Sequence, residues 1–241
     1  MSRSGAARFA RYAYPPNELG FCGPAGAREM LAPDAVHDIE HRARHFEGAW
    51  SYLQLLADAA GVGDPLHADV VDAYWLGNDL LDAIPPAALV TRLEDRFRGQ
   101  VGGTWRGAAA RARAHHSFQV FEVYPWAGLL RAGRPSRPAV HVLDRCRIRV
   151  GEVLGVLGES VTVTSRPLVW DGAALLEGEA VVEQARWSVE GRSLIDVPVV
   201  GELVALHWDW VCEPLTPEQA ARIKKLEQQT LHGSGLSPDG R

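Results

Sequence analysis

The strongest constraint on this chain is a change of hydrophobic period at one place. Up to about residue 130, apolar residues recur every three or four positions; beyond the Gly-, Pro- and Arg-rich RAGRPSRPAVH (131–141) they alternate. A helical period cannot serve as a strand, nor a period of two as a helix. The reading is therefore α+β: an all-α N-terminal domain at 1–133, a linker at 134–141, a small β-barrel with a C-terminal helix at 142–230, and a disordered tail at 231–241.

From Asp34, a good N-cap, AVHDIEHRARHFEGAWSYLQLLADAAG places Val36, Ile39, Ala43, Phe46, Trp50 and Leu53 on one helical face. Gly61 and the turn Gly63-Asp64-Pro65 end it. HADVVDAYWLGNDLLDAI is apolar nearly all round and central to a bundle, and PAALVTRLEDRFRGQV makes a third helix. HHSFQVFEVYPWAGLL is either a helix up to Pro125 or an extended segment against the bundle.

CRIRVGEVLGV, ESVTVTSRPLVW, EAVVEQARWSV and GELVALHWDWV are short β-branched runs between Gly-containing turns, the pattern of a small closed or nearly closed barrel. Thr216, Pro217 and Gln219 then open a helix with an N-cap, a first-turn proline and a capping box.

Apolar residues make up 46% of the chain and charged residues 23%, with a net charge of −5 and scattered arginines. This excludes the basic footprint that nucleic-acid binding needs. No run approaches the roughly 18 apolar residues of a membrane span. The N-terminal segment lacks a signal-peptide core. Cys22, Cys146 and Cys212 are odd in number, widely spaced and without a CxxC pair, which fits a reducing cytoplasm rather than a disulfide framework or a zinc ribbon. No GxSxG, GxxxxGK[ST], HExxH or GxGxxG is present, so hydrolase, NTPase and dinucleotide chemistry lose ground.

One strand stands out. VALHWDWVCEPL (204–215) carries His207 where valine would serve, and burying an unpaired imidazole nitrogen costs roughly 1–3 kcal/mol. In a barrel that begins at Cys146 and ends at His207 the first and last strands are neighbours, so a thiol and an imidazole share one rim. Such a pair suits iron, nickel, copper or zinc, a thiolate activated by imidazole, or simply a buried Cys beside a hydrogen-bonded His. His115 or His116 could join them across the domain interface, and Cys22 lies in a tight Gly/Pro loop that presents its thiol. Asp209 is the best outer partner for the imidazole, and Trp208 and Trp210 form an aromatic wall. His37, His41 and His45 stack at four-residue spacing on the face opposite Ile39, Phe46 and Trp50, which reads as a solvated polar face, with a helix-surface metal site as the alternative. Cys212, Glu122, Tyr124 and Trp126 read as packing or hydrogen-bonding groups.

Residues 143–230 resemble the HypC/HupF family, small OB-like barrel chaperones of [NiFe]-hydrogenase maturation. The family's Cys, a Gly five residues on and a strand ending in V-x-G match Cys146, Gly151 and the run CRIRVGEVLG; its last strand, vGD-x-V-L-V-H, matches Gly201, Val204 and His207. The resemblance implies that Cys146 and His207 hold an iron centre or its Fe(CN)2(CO) precursor, and that the partner is the hydrogenase large subunit or another maturation protein. Here the cysteine is internal rather than next to an initiator methionine, and Val150 replaces the family's proline. YPPNELGFCGP, AYWLGN, HHSFQVFEVYPW and LHWDWVC are similar to an uncharacterised actinobacterial family associated with hydrogenase genes. The expected function is thus that of an accessory protein, a maturation chaperone rather than an enzyme. The alternatives are a metal-dependent enzyme using histidines at the domain interface, and a non-catalytic interaction adaptor.

Overall fold

A computed structural model describes residues 3–32, 35–99, 105–132 and 137–236. The chain opens with α1 (Arg3–Glu18), followed by α2 (Val36–Ala43), α3 (Glu47–Ala60), α4 (Ala68–Trp75) and α5 (Pro86–Arg96). Short α6 (His116–Phe118) runs directly into a π-helical turn at Gln119–Val123, and α7 (Pro125–Arg131) and α8 (Arg137–Cys146) complete the helical part. The expected cap at Asp34 lies outside the described residues. The long helix expected from 34 to 61 is two: Phe46 leaves the helical conformation, is buried, and meets Phe9 edge to face at 5.3 Å. Gly61, at φ 65, closes α3 where the sequence places its end.

The N-terminal segment, which carries no obvious helical signal, is the central helix. α1 buries Phe9, Tyr12 and Tyr14 completely, and burial of a side chain such as Phe9 contributes roughly 1.5–3 kcal/mol. It does so with Pro15 and Pro16 inside its last turns. The HHSFQVFEVYPW segment is helical, and Tyr124 in extended conformation separates the π turn from α7.

β1 (Arg149–Leu157), β2 (Ser160–Ser165), β5 (Val181–Arg186), β6 (Leu203–His207) and β7 (Trp210–Pro214) form a closed barrel; β3 (Leu168–Trp170) and β4 (Leu175–Glu177) make a separate hairpin. The order around the barrel is β1-β2-β5-β7-β6, and β6 pairs back onto β1 through Arg149 and Leu206. Neighbours are antiparallel except for one parallel bridge, Arg186 to Trp210. Numbered among themselves, the barrel strands run 1-2-3-5-4, the OB-like arrangement. Val153, Val161, Val163, Val204, Leu206 and Val211 fill the interior. α9 (Pro217–Gly233) starts on the expected capping box of Thr216 and Gln219.

Three boundaries differ from expectation. Residues 137–141 of the linker belong to α8, and Pro138 sits in its first turn, where no N–H is needed; residues 133–136 lie outside the described residues. The start of the tail is folded: Leu231, Ser234 and Leu236 are buried, and Leu175 N–H donates to the Leu236 carbonyl at 2.7 Å. The two halves also share a core, which continues from α1–α5 into Ile148, Ala205, Trp210, Cys212 and Ile223.

Candidate metal centre

His207 is the last residue of β6, facing α1 with 1% of its surface exposed. Its Nδ1–H donates to the Tyr12 carbonyl at 2.7 Å. That carbonyl is available for a reason written in the sequence. Pro16, four residues on, has no N–H to give back to it. A hydrogen bond from Nδ1 fixes the tautomer and leaves Nε2 with its lone pair, the state of a metal-ligating imidazole. Nε2 is buried and makes no hydrogen bond of ordinary geometry; the ring approaches the Cys146 carbonyl only loosely, and His116 already donates to that carbonyl.

His116 opens α6. Its Nε2–H donates to the Cys146 carbonyl at 2.8 Å, and Nδ1 faces Tyr74 Oη at 3.2 Å. The Tyr74 hydroxyl also donates to the Gly48 carbonyl at 2.8 Å, the shorter of its two contacts. His116 therefore offers a donor nitrogen by releasing one neighbour, and Tyr74 keeps a partner when it is released.

Cys146 is the last residue of α8, not the first of a barrel strand; β1 begins three residues later. It still meets the end of β6, because β1 pairs with β6 and Trp208 N–H donates to the Arg145 carbonyl at 2.7 Å. Donor atoms of His116, Cys146 and His207 lie within 4.8 Å of one another, and all three residues are buried. The histidine rings stand edge to face at 5.2 Å. Burial drives His116 down to about 4 and His207 well below the ordinary imidazole value, and pushes the Cys146 thiol up. By themselves the three groups are thus a neutral thiol and two neutral imidazoles. An orphaned Nε2 beside a thiol and a second imidazole fits a soft or borderline ion, whose positive charge would expel the thiol proton.

The three donors open onto a cavity of about 190 Å³ walled by Phe46, Tyr74, Trp75, Tyr124, Trp126, Trp208, Phe21 and Cys22. Trp208 holds φ 57, a left-handed conformation unusual for so large a residue, at the first position of the two-residue turn between β6 and β7. The turn is clamped from both sides. Besides the Arg145 contact, the Trp208 carbonyl accepts from buried Arg149 at 2.5 Å. Phe21 lies on the Trp208 indole at 4.1 Å, nearly parallel.

The other expected residues fall as follows. Cys22 lines the cavity but is not one of the three donors within 4.8 Å; burial raises its thiol to about 12. Its loop is tight: Gly23 has φ 82, and a Cβ there would meet the Phe46 ring at 2.5 Å. His115 is not in the cavity wall. Its Nδ1 accepts from Ser117 N–H at 3.1 Å and caps α6, and burial lowers it to about 3. Asp209 does not orient His207; it is half exposed and pairs with Arg186 at 3.6 Å, leaving the outer role to Tyr12. Trp210 is no wall of the cavity, because it packs on Tyr14 at 5.0 Å with Arg186 over its other ring contact at 5.1 Å. Cys212 is the extra residue of a bulge between β6 and β7 and is buried in the shared core. His37 and His41 are exposed on α2, and His45, expected on the same helix, is exposed in the turn that follows it. Glu122 is buried in ion pairs with Arg111 and Arg131.

Tyr12, Tyr74 and Trp75 were not expected at the site. The signal for Tyr12 is the Pro-Pro pair: a proline inside a helix frees the carbonyl four residues earlier, which then needs a donor. Among the described residues no helix is long and apolar enough to cross a membrane. No curated protein and no solved structure matches the chain. One family model matches residues 1–235, helical half and barrel together, and the chain belongs to that family, a family of unknown function (DUF6390).

Proposed function

We propose that this protein is a metal-holding accessory protein in which His116, Cys146 and His207 bind one transition-metal ion. By its resemblance to HypC/HupF, the cargo is an iron centre or its Fe(CN)2(CO) precursor, destined for a [NiFe]-hydrogenase large subunit. The carrying observation is the orphaned Nε2 of His207, on a ring that the Tyr12 carbonyl holds through Nδ1, in a group where ligand atoms of His207, Cys146 and His116 lie within 4.8 Å of one another. Three protein donors leave coordination positions for small exogenous ligands, and the aromatic wall limits water. Few ligands also suit a cargo that must be released.

The test is anaerobic purification from cells that express the hydrogenase, with metal analysis and infrared spectra. Iron at one equivalent with cyanide and carbonyl stretches is expected, as is capture of the large subunit. Absence of both iron and those bands in the free protein and in the trapped complex would sink the metal-carrying form. A cavity of about 190 Å³ exceeds the volume of an engineered apolar cavity that holds benzene, about 150 Å³, which favours a metal-dependent enzyme as the second reading. That reading expects tightly bound metal in cells that lack any hydrogenase.

A further inference from the structure

We propose that Cys22 is a second thiolate ligand, recruited by a bare divalent ion at the His116, Cys146 and His207 centre; the inference rests on that centre binding metal. The argument is one of charge. Two neutral imidazoles and one thiolate cancel a single positive charge, so a divalent ion would leave a net charge of +1 on three buried donors, in a largely aromatic cavity that meets the surface at Phe21. Among the described residues, the cavity wall contains no aspartate or glutamate. An uncompensated charge in such a place is among the costliest features a protein can carry.

Cys22 is the remaining thiol in that wall. Phenols are the other ionisable groups there: Tyr74 is committed to the Gly48 carbonyl at 2.8 Å, and Tyr124 faces the Gln119 amide, with burial holding both hydroxyls protonated. His207 Nε2, buried and without a hydrogen bond of ordinary geometry, marks the point at which a ligand is expected. The main chain of Cys22 is fixed, its carbonyl accepting from Asn17 at 2.8 Å and the Phe21 N–H donating to the Pro16 carbonyl at 2.8 Å, with left-handed glycines at Gly20 and Gly23 on either side, so the approach is a rotation of the thiol about its own side chain. Phe21 closes over Trp208 next to it. With both thiols ionised the reaction balances: a divalent ion and two thiols give a neutral dithiolate centre and two protons. An ion that arrives with anionic ligands of its own does not need Cys22, so the same loop distinguishes a bare ion from a preassembled unit.

The experiment is anaerobic titration of the full chain with cobalt(II), reading thiolate-to-cobalt charge-transfer absorption and protons released per ion bound. The wild type should show two thiolates and two protons. Cys22→Ser should show half the charge-transfer intensity per cobalt, one proton, and binding weakened more than about a hundredfold, beyond what loss of an outer-sphere contact costs. Cu(I), whose single charge Cys146 alone balances, should bind both proteins equally well, and their metal-free unfolding midpoints should agree. One thiolate and one proton in the wild type, unchanged in Cys22→Ser, would overturn the role of Cys22 and leave the three-residue centre standing. No cobalt binding by the wild type, or full binding by Cys146→Ala, would overturn the centre itself.

Discussion

Two groups of metal-type donors sit in this molecule, and they differ in what holds them. His37, His41 and His45 are spaced for one helix face, and His41 and His45 touch ring to ring at 5.3 Å. They are exposed, and no protein group among the described residues is seen to fix a tautomer for them. His116, Cys146 and His207 share no spacing at all. Each comes from the end of a different element, and each imidazole is pinned by a backbone carbonyl, Cys146 for one and Tyr12 for the other. Regular spacing brings rings together; a buried carbonyl aimed at one nitrogen fixes the tautomer and leaves the other nitrogen with its lone pair.

The comparison breaks most visibly in metal stoichiometry. Cys146→Ala or His207→Ala should lose the bound ion altogether, whereas the triple variant His37→Ala, His41→Ala, His45→Ala should retain a full equivalent by elemental analysis. Loss in the triple variant would relocate the centre to α2.

Acid sharpens the contrast next. His116 and His115 have folded values of about 4 and about 3 against an ordinary 6.5, so both are neutral in the fold. Below pH 6.5 the unfolded chain takes up protons that the folded chain refuses. The stabilisation is complete above that pH and falls as pH drops toward 4, at about 1.4 kcal/mol per unit for each ring. Urea unfolding of the metal-free protein should therefore lose about 2 kcal/mol per ring between pH 7 and pH 5. A flat profile would mean that the rings are not buried neutral.

Pro16→Ala probes the carbonyl itself. The new N–H competes with His207 for the Tyr12 oxygen, so chelator competition should show metal affinity down about ten- to a hundredfold. Stability should hold or rise, since a proline has left a helix. Unchanged affinity would show that the ring is oriented by packing alone. The smallest effect belongs to the α2 triple variant, whose unfolding free energy should stay within about 0.5 kcal/mol of wild type, as for surface substitutions generally.

Part of the site was legible because strand neighbours follow from a barrel, and β6 does pair with β1; but Cys146 ends α8 instead of opening the first strand, and 204–215, read as one closing strand, is the hairpin of β6 and β7. The period switch and the capping box at Thr216 likewise located the barrel and α9. What stayed hidden has physical causes. Pro15 and Pro16 disguise α1, so the carbonyl that orients His207 could not be foreseen, and Asp209 was the nearest polar group in sequence. Pro138 in a first helical turn looks the same as a breaker in a loop, which turned the start of α8 into a linker. A two-residue turn carrying a left-handed tryptophan is a tertiary decision, enforced by the Arg145 and Arg149 contacts rather than by any preference of Trp208.

The bond from His207 to the Tyr12 carbonyl spans 195 residues. The acceptor lies in α1 and the donor at the end of β6, so the contact can form only after the helical half and the first barrel strands between them have been made. A nascent or clipped chain therefore has loose thiols and imidazoles but no centre. A site absent from the unfolded chain returns its binding energy as folding energy, so an ion bound here would stabilise only chains in which those two distant segments have met.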